Sequence, residues 1–209
     1  MSTAGARILG VDFDNTLVSY DTLFHRVARE RDLIPDDVAV NKTAVRDYLR
    51  KIGREPAWTE LQGVVYGSRI DEAESFPGAL ECLAGCLQAG WQVHIVSHKT
   101  RTPILGEPVD LHRAARGWLE THGLFGSGIS LPRENAWFEL TKAEKIGRIA
   151  ALGCIAFVDD LPELLSDPAF PVATRRILFR PQEGEAAAPA GIAVAASWHE
   201  ISRIVTNGA

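Results

Sequence analysis

Apolar and polar positions alternate between two patterns along this chain. Residues 7–13 form a short, nearly continuous apolar run that ends in acids, as a strand buried on both faces does. The pattern returns at 91–96 and 154–158, more weakly at 136–139, and again at 176–179 and 192–195. Between these runs apolar residues recur with helical spacing. Phe76-Pro77-Gly78 opens a helix that runs to about Gln88 and stops at Gly90. Asp110 caps a helix ending near Gly123, Thr141 caps one over 142–152 that Gly153 closes, and Ser197 caps a last one. Strands separated by helices predict an α/β fold with a mostly parallel sheet and right-handed crossovers.

Residues 20–74 differ in character. They are rich in Arg, Glu and Asp, with helical spacing at Leu23, Val27 and Leu33, at Val45, Leu49 and Ile52, and at Leu61, Val64 and Val65. This predicts two or three amphipathic helices and no convincing strand. Only 181–191 (PQEGEAAAPAG) is compositionally weak, as a surface loop would be.

The chain has 209 residues, 46% hydrophobic and 23% charged, which suits a globular protein of one domain with a sizeable core, or one domain carrying a small insertion. A net charge of −5 provides no global basic field for nucleic acid. No apolar run approaches the roughly 18 residues that span a bilayer, and the first residues lack the apolar stretch of a signal peptide. Cys82, Cys86 and Cys154 form no disulfide framework, which predicts a reducing, cytoplasmic setting. Cys82 and Cys86 are four apart on a helix, but no further His or Cys has matching spacing, so they are expected as small buried hydrophobes.

In parallel sheets, ligands bind beyond the carboxyl ends of the strands. Three of the predicted strand ends carry groups able to do chemistry: Asp12 with Asp14, Ser97, and Asp159 with Asp160. Carboxylates beside a buried strand are costly unless solvated, paired or metal-bound. Two such pairs along one edge concentrate negative charge that a hard divalent cation neutralises, and Mg²⁺ suits a few carboxylates joined by a substrate phosphate.

Asp12-Phe13-Asp14-Asn15-Thr16 resembles the first motif of the haloacid dehalogenase (HAD) superfamily. Ile95-Val96-Ser97 resembles the second, Lys142 at a helix start the third, and Phe157-Val158-Asp159-Asp160 the fourth. The resemblance runs from about residue 7 to 205. It implies a Rossmann-like core over 1–17 and 76–209, with a helical cap inserted at 18–75. It also implies phosphoryl transfer through an aspartyl-phosphate. Asp12 would be the nucleophile and Asp14 the general acid and base. Ser97 would hydrogen-bond a phosphoryl oxygen, and Lys142 would offset charge, with Lys145 as the second choice. Asp12, the backbone carbonyl of Asp14, Asp159 and Asp160 would hold Mg²⁺, Asp160 directly and Asp159 through water. Thr16, Ser97, His98 and Lys142 would bind substrate. Asp14 favours the phosphatase or phosphomutase branch, because the dehalogenase branch lacks an acid there.

The activity so implied is that of a cytoplasmic, Mg²⁺-dependent phosphatase acting on a small phosphorylated metabolite, without nucleic-acid or membrane partners. A phosphomutase using the same intermediate and a catalytically silent binding protein remain open. Tyr20, Asp21, Lys42, Arg46, Arg50 and Arg69 are candidate leaving-group contacts in the cap. Lys99 and Arg101 are candidate anion contacts after the second motif. Each basic residue also fits a solvated face.

Overall fold

The computed structural model describes residues 6–126, 128–181 and 189–206. Most of the predicted surface loop, residues 182–188, lies outside them. In chain order the elements are β1 (Ile8–Val11), β2 (Val18–Ser19), α1 (Asp21–Glu30), α2 (Lys42–Lys51), α3 (Glu55–Gly63), β3 (Glu74–Ser75), α4 (Ala79–Gln88), β4 (Gln92–His98), α5 (Leu111–Thr121), β5 (Ala136–Glu139), α6 (Lys142–Leu152), β6 (Ala156–Asp159), α7 (Pro162–Leu165), β7 (Arg175–Phe179), β8 (Ala193–Ala195) and α8 (Trp198–Thr206). They fall into two compact units. One comprises Met1–Leu17, Ser75–His98 and Gly123–Ala209; the other comprises Val18–Glu74 and Lys99–His122. Lys99–His122, which the family resemblance assigns to the core, therefore belongs to the second unit.

The first unit is built on a six-stranded parallel sheet of order β5-β4-β1-β6-β7-β8. Chain order reverses at β1, which lies between β4 and β6, and in parallel sheets ligands bind beyond the carboxyl end of such a switch point. Val11 is in register with both Ile95 and Val158, and Asp12 N donates to Val158 O at 2.9 Å. Asp12 thus leaves the sheet level with the ends of both neighbours. The sheet is apolar on both faces: Leu9, Val11, Val93, Ile95, Phe157 and Val158 are all sealed from solvent. Gly10 is required by this packing, because a Cβ there would lie 2.4 Å from the Phe157 ring.

Local signals explain the helices around the sheet. Thr141 and Glu144 form a reciprocal capping box at the start of α6, and Gly153 ends it with φ +68°. Ile146 and Ile149 on α6 join Val96, Phe157, Leu164, Leu165, Phe170 and Leu178 in one core cluster.

The second unit gathers α1, α2, α3 and α5 with a π-helical turn at Val64–Ser68. Its core holds Leu23, Phe24, Val27, Val45, Leu49, Trp58, Leu61 and Trp118. Phe24 packs on Trp58 with ring centroids 4.9 Å apart, and Trp118 Nε1 on α5 donates to Ala73 O at 2.8 Å. That buried bond shows why α5 goes with this unit. β2 and β3, two residues each and paired with one another, stand at the margins of residues 20–74, and only Glu74 departs from the expectation of no convincing strand there. Strands this short carry no readable alternation. Among the described residues no helix is long and apolar enough to cross a membrane.

Candidate active site

The carboxyl ends of β1, β4 and β6 and the start of α6 all belong to the first unit. Beyond β1 the chain turns at once: Leu17 N donates to Phe13 O at 3.1 Å, and Asn15 takes φ +56°. Asn is among the few non-glycine residues that tolerate this region. Phe13 packs edge-on against Phe138 with centroids 5.5 Å apart, and Trp198 Nε1 donates to Thr16 O at 3.1 Å. The loop that carries Asp12 is therefore anchored on both sides. Thr16 is fully buried and its Oγ1 has no protein partner.

Asp12 is 3% exposed, and Asp159, at the end of β6, is wholly buried. The Lys145 ammonium lies between them, 2.6 Å from Asp12 Oδ1 and 2.6 Å from Asp159 Oδ2. Leu161 N donates to Asp159 Oδ1 at 2.9 Å. Burial acts to lower Lys145, but the two carboxylates outweigh it and hold the ammonium above its ordinary range. Burial pushes the Asp159 carboxyl up to about 6, with Lys145 pulling it down and Asp12 pushing it up.

This corrects the choice of lysine. Lys142 is 44% exposed at the first position of α6 and pairs with Glu163 at 2.8 Å, away from the buried carboxylates. Lys145, one turn further in, is sealed from solvent. The sequence does contain a signal for it. Lys145, Ile149 and Leu152 follow i, i+4 and i+7, which sets the lysine on the apolar stripe of the helix.

Asp12, Asp159 and Asp160 can each offer an oxygen, and these oxygens lie within 4.8 Å of one another. Three carboxylates against one ammonium leave two negative charges, which a divalent cation would balance. An all-oxygen donor set favours a hard ion such as Mg²⁺ over a soft one. The Asp14 side chain, half-buried two residues after Asp12, is not one of the three.

Ser97, near the end of β4, is 1% exposed. His98 follows it, with Nδ1 buried and lacking a hydrogen-bond partner. Burial and the Lys145 charge, opposed by Asp12, with smaller opposing contributions from Lys142 and Asp14, hold this imidazole below its usual range. Cys82 and Cys86 are buried free thiols, as expected of small hydrophobes.

The remaining candidates lie in the second unit. Arg46 pairs with Asp47, Arg50 grips Glu55 through two bonds of 2.7 and 3.0 Å, and Arg69 pairs with Glu30 and Glu72. Tyr20 is packed against Phe24 and Tyr66, while Asp21 accepts a bond from Lys42 N. Lys42 and Lys99 place their ammonium groups 5.6 and 4.7 Å from the Tyr66 ring centroid, and Arg101 pairs with Asp110.

No protein-family model and no curated protein matches this chain. Solved structures do. A dehalogenase is 14% identical, with 97% of this chain and 98% of that one covered at a TM-score of 0.59. The HAD-hydrolase YfnB from Bacillus subtilis, solved bound to magnesium, is 14% identical over 96% of this chain and 98% of its own, also at 0.59. A HAD family hydrolase from Deinococcus radiodurans R1, solved with bound phosphate and sodium, is 15% identical over 98% and 96%, at 0.56. The sheet order and these full-length matches agree: this chain has the fold of the haloacid dehalogenase-superfamily hydrolases.

Proposed function

We propose that this protein is a phosphatase that hydrolyses a small phosphomonoester through an aspartyl-phosphate on Asp12, with Mg²⁺ as its cofactor. The observation that carries the reading is the buried grouping of Asp12, Lys145 and Asp159, with Asp160 within reach of the same ion. Asp14 supports phosphoryl transfer over dehalogenation, since it supplies an acid two residues after the nucleophile.

An Asp12 carboxylate oxygen attacks phosphorus, and the bond from phosphorus to the leaving oxygen breaks. Asp14 donates its proton to that oxygen. A water then attacks phosphorus while Asp14 takes its proton, the bond to Asp12 breaks, and phosphate leaves. Lys145 orients the Asp12 carboxylate and offsets its charge, and Ser97 donates its hydroxyl to a phosphoryl oxygen. Asp12, Asp159 and Asp160, with the Asp14 carbonyl, would hold the ion. When bound, Mg²⁺ neutralises charge on the transferring group. In-line transfer needs positioning and charge neutralisation, and this residue set supplies both.

Phosphate release from p-nitrophenyl phosphate and a panel of natural phosphomonoesters tests the proposal. Release requires Mg²⁺, stops with EDTA and is lost in Asp12→Asn while the fold persists. Undiminished release by Asp12→Asn would overturn the nucleophile assignment.

A further inference from the structure

The carboxylate cluster lies at the carboxyl ends of the strands, and a separate concentration of charge lies toward their amino ends in the same unit. Ala156, the first residue of β6, is in register with Arg175, the first of β7, whereas Asp159 is in register with Leu178. Three residues of strand, about 10 Å, therefore separate the level of Arg175 from that of the cluster. Arg175, Val194, Glu200, Arg203 and Ile204 line a cleft of about 400 Å³, a size that suits a small molecule. Glu200, Arg203 and Ile204 follow i, i+3 and i+4 on α8, which sets them on one face of the helix. Arg175 Nη1 donates to Ile204 O at 2.7 Å, so its guanidinium is fixed against the last turn of α8. That bond uses one of five N–H donors. The Arg203 guanidinium has no hydrogen-bond or ion-pair partner among the described residues. Glu200, the one acid of the cleft, accepts from Ala196 N at 2.8 Å and so caps the start of α8. Two guanidinium groups against one carboxylate leave the cleft positive in a chain of net charge −5. Val194, 43% exposed, and Ile204 supply its apolar wall.

We propose that this cleft is a second anion-binding site, taking a small metabolite that carries a phosphate or carboxylate group on an apolar frame. A guanidinium is planar and presents paired N–H donors that match such oxyanions. Arg175 is held in place by Ile204 O, Arg203 meets the anion from α8, and the apolar part rests on Val194 and Ile204. Anchoring the end of α8 accounts for Arg175 alone; it gives no task to Arg203 or to the exposed Val194. The site is built from β7, β8 and α8, so it does not depend on the hydrolysis assigned to Asp12.

Methyl NMR of the intact protein reads the cleft directly, through Val194 and Ile204. The probes are phenylphosphonate, which has no ester to hydrolyse, and benzoate, with circular dichroism to confirm the fold of each variant. Saturable shifts at both residues with either probe are the expected result, and the tighter probe tells a phosphoryl ligand from a carboxylate. Arg203→Gln is expected to weaken the tighter probe about 10-fold. Glu200→Gln keeps an acceptor for Ala196 N and removes a like charge, so binding should tighten about 2- to 3-fold. Asp12→Asn should leave the shifts unchanged. Methyl groups that neither probe moves, equal affinity in wild type and Arg203→Gln, or shifts that vanish in Asp12→Asn would each overturn the proposal.

Discussion

Replacing Lys145 by Met isolates the charge at the centre of the carboxylate cluster. Met keeps much of the lysine stem's volume and removes the ammonium. That ammonium is fully buried between Asp12 Oδ1 and Asp159 Oδ2, at 2.6 Å from each. Without it, two carboxylates that are 3% and 0% exposed face each other. At the 4.8 Å that bounds the cluster's oxygens, two full charges repel by about 3.5 kcal/mol at an effective dielectric near 20. Removing one partner from a buried ion pair costs roughly 3–5 kcal/mol in measured cases, which agrees in size. For a chain of this length each kcal/mol moves the melting midpoint by roughly 2–4 °C, so the expected fall is about 6–20 °C.

Lys142→Met is the matched control. Its partner Glu163 is itself 57% exposed, so the loss should stay within about 1 kcal/mol. Both variants are melted in EDTA and in excess Mg²⁺. The ion should raise the midpoint of Lys145→Met more than that of wild type, because it replaces part of the missing positive charge. Phosphate release should fall by roughly 10²–10³-fold in Lys145→Met and stay within a few-fold in Lys142→Met. Equal midpoints for the two variants, or a greater loss of activity in Lys142→Met, would refute the reasoning.

Two further predictions concern the sheet. Gly10→Ala drives a methyl group to 2.4 Å from the Phe157 ring and should cost about 1–3 kcal/mol in chemical denaturation, whereas a neutral result would mean that β1 and β6 give way more easily than close packing allows. His94 is buried, and its Nδ1 accepts from Trp137 Nε1 at 3.2 Å, so protonation there would break the bond. Burial lowers its titration below the ordinary value of 6.5. Its stabilising contribution is therefore complete above about pH 6.5 and is lost as pH falls through the depressed value. His94→Asn, which keeps an acceptor but no titrating ring, should lose less stability than wild type between pH 7 and 5.5; identical pH slopes would exclude His94 as the cause.

The elements that local chemistry specifies were legible in the sequence. The α6 boundaries follow from Thr141, Glu144 and Gly153 alone, because a cap and a left-handed terminus act over a few residues. The central strands β1, β4 and β6 show as apolar runs because the sheet buries both their faces. The elements that escaped have weaker local signatures. The single turn α7 is four residues long, and β2 and β3 have two each. The grouping of Lys99–His122 with the second unit depends on Trp118 reaching Ala73, forty-five residues away in the chain. Nothing in the Asp110 cap or the apolar spacing of α5 records that partner.

The choice between Lys142 and Lys145 shows the same division within the site. Both lysines lie near the start of one helix, and helix-forming tendency does not tell them apart. What separates them is the cost of burial. A lysine sealed from water is tolerated only where opposite charges meet it, and two buried carboxylates are tolerated only where a cation stands between them. Positions 12, 145 and 159 satisfy one another's requirement, while Lys142 with Glu163 can be satisfied at the surface. The helix therefore turns Lys145 inward because the sheet delivers Asp12 and Asp159 side by side. Strand order rather than helix chemistry decides which lysine joins the site. Sequence shows the chemical types that the site needs, and the parallel order β4-β1-β6 decides which copies of each type come together.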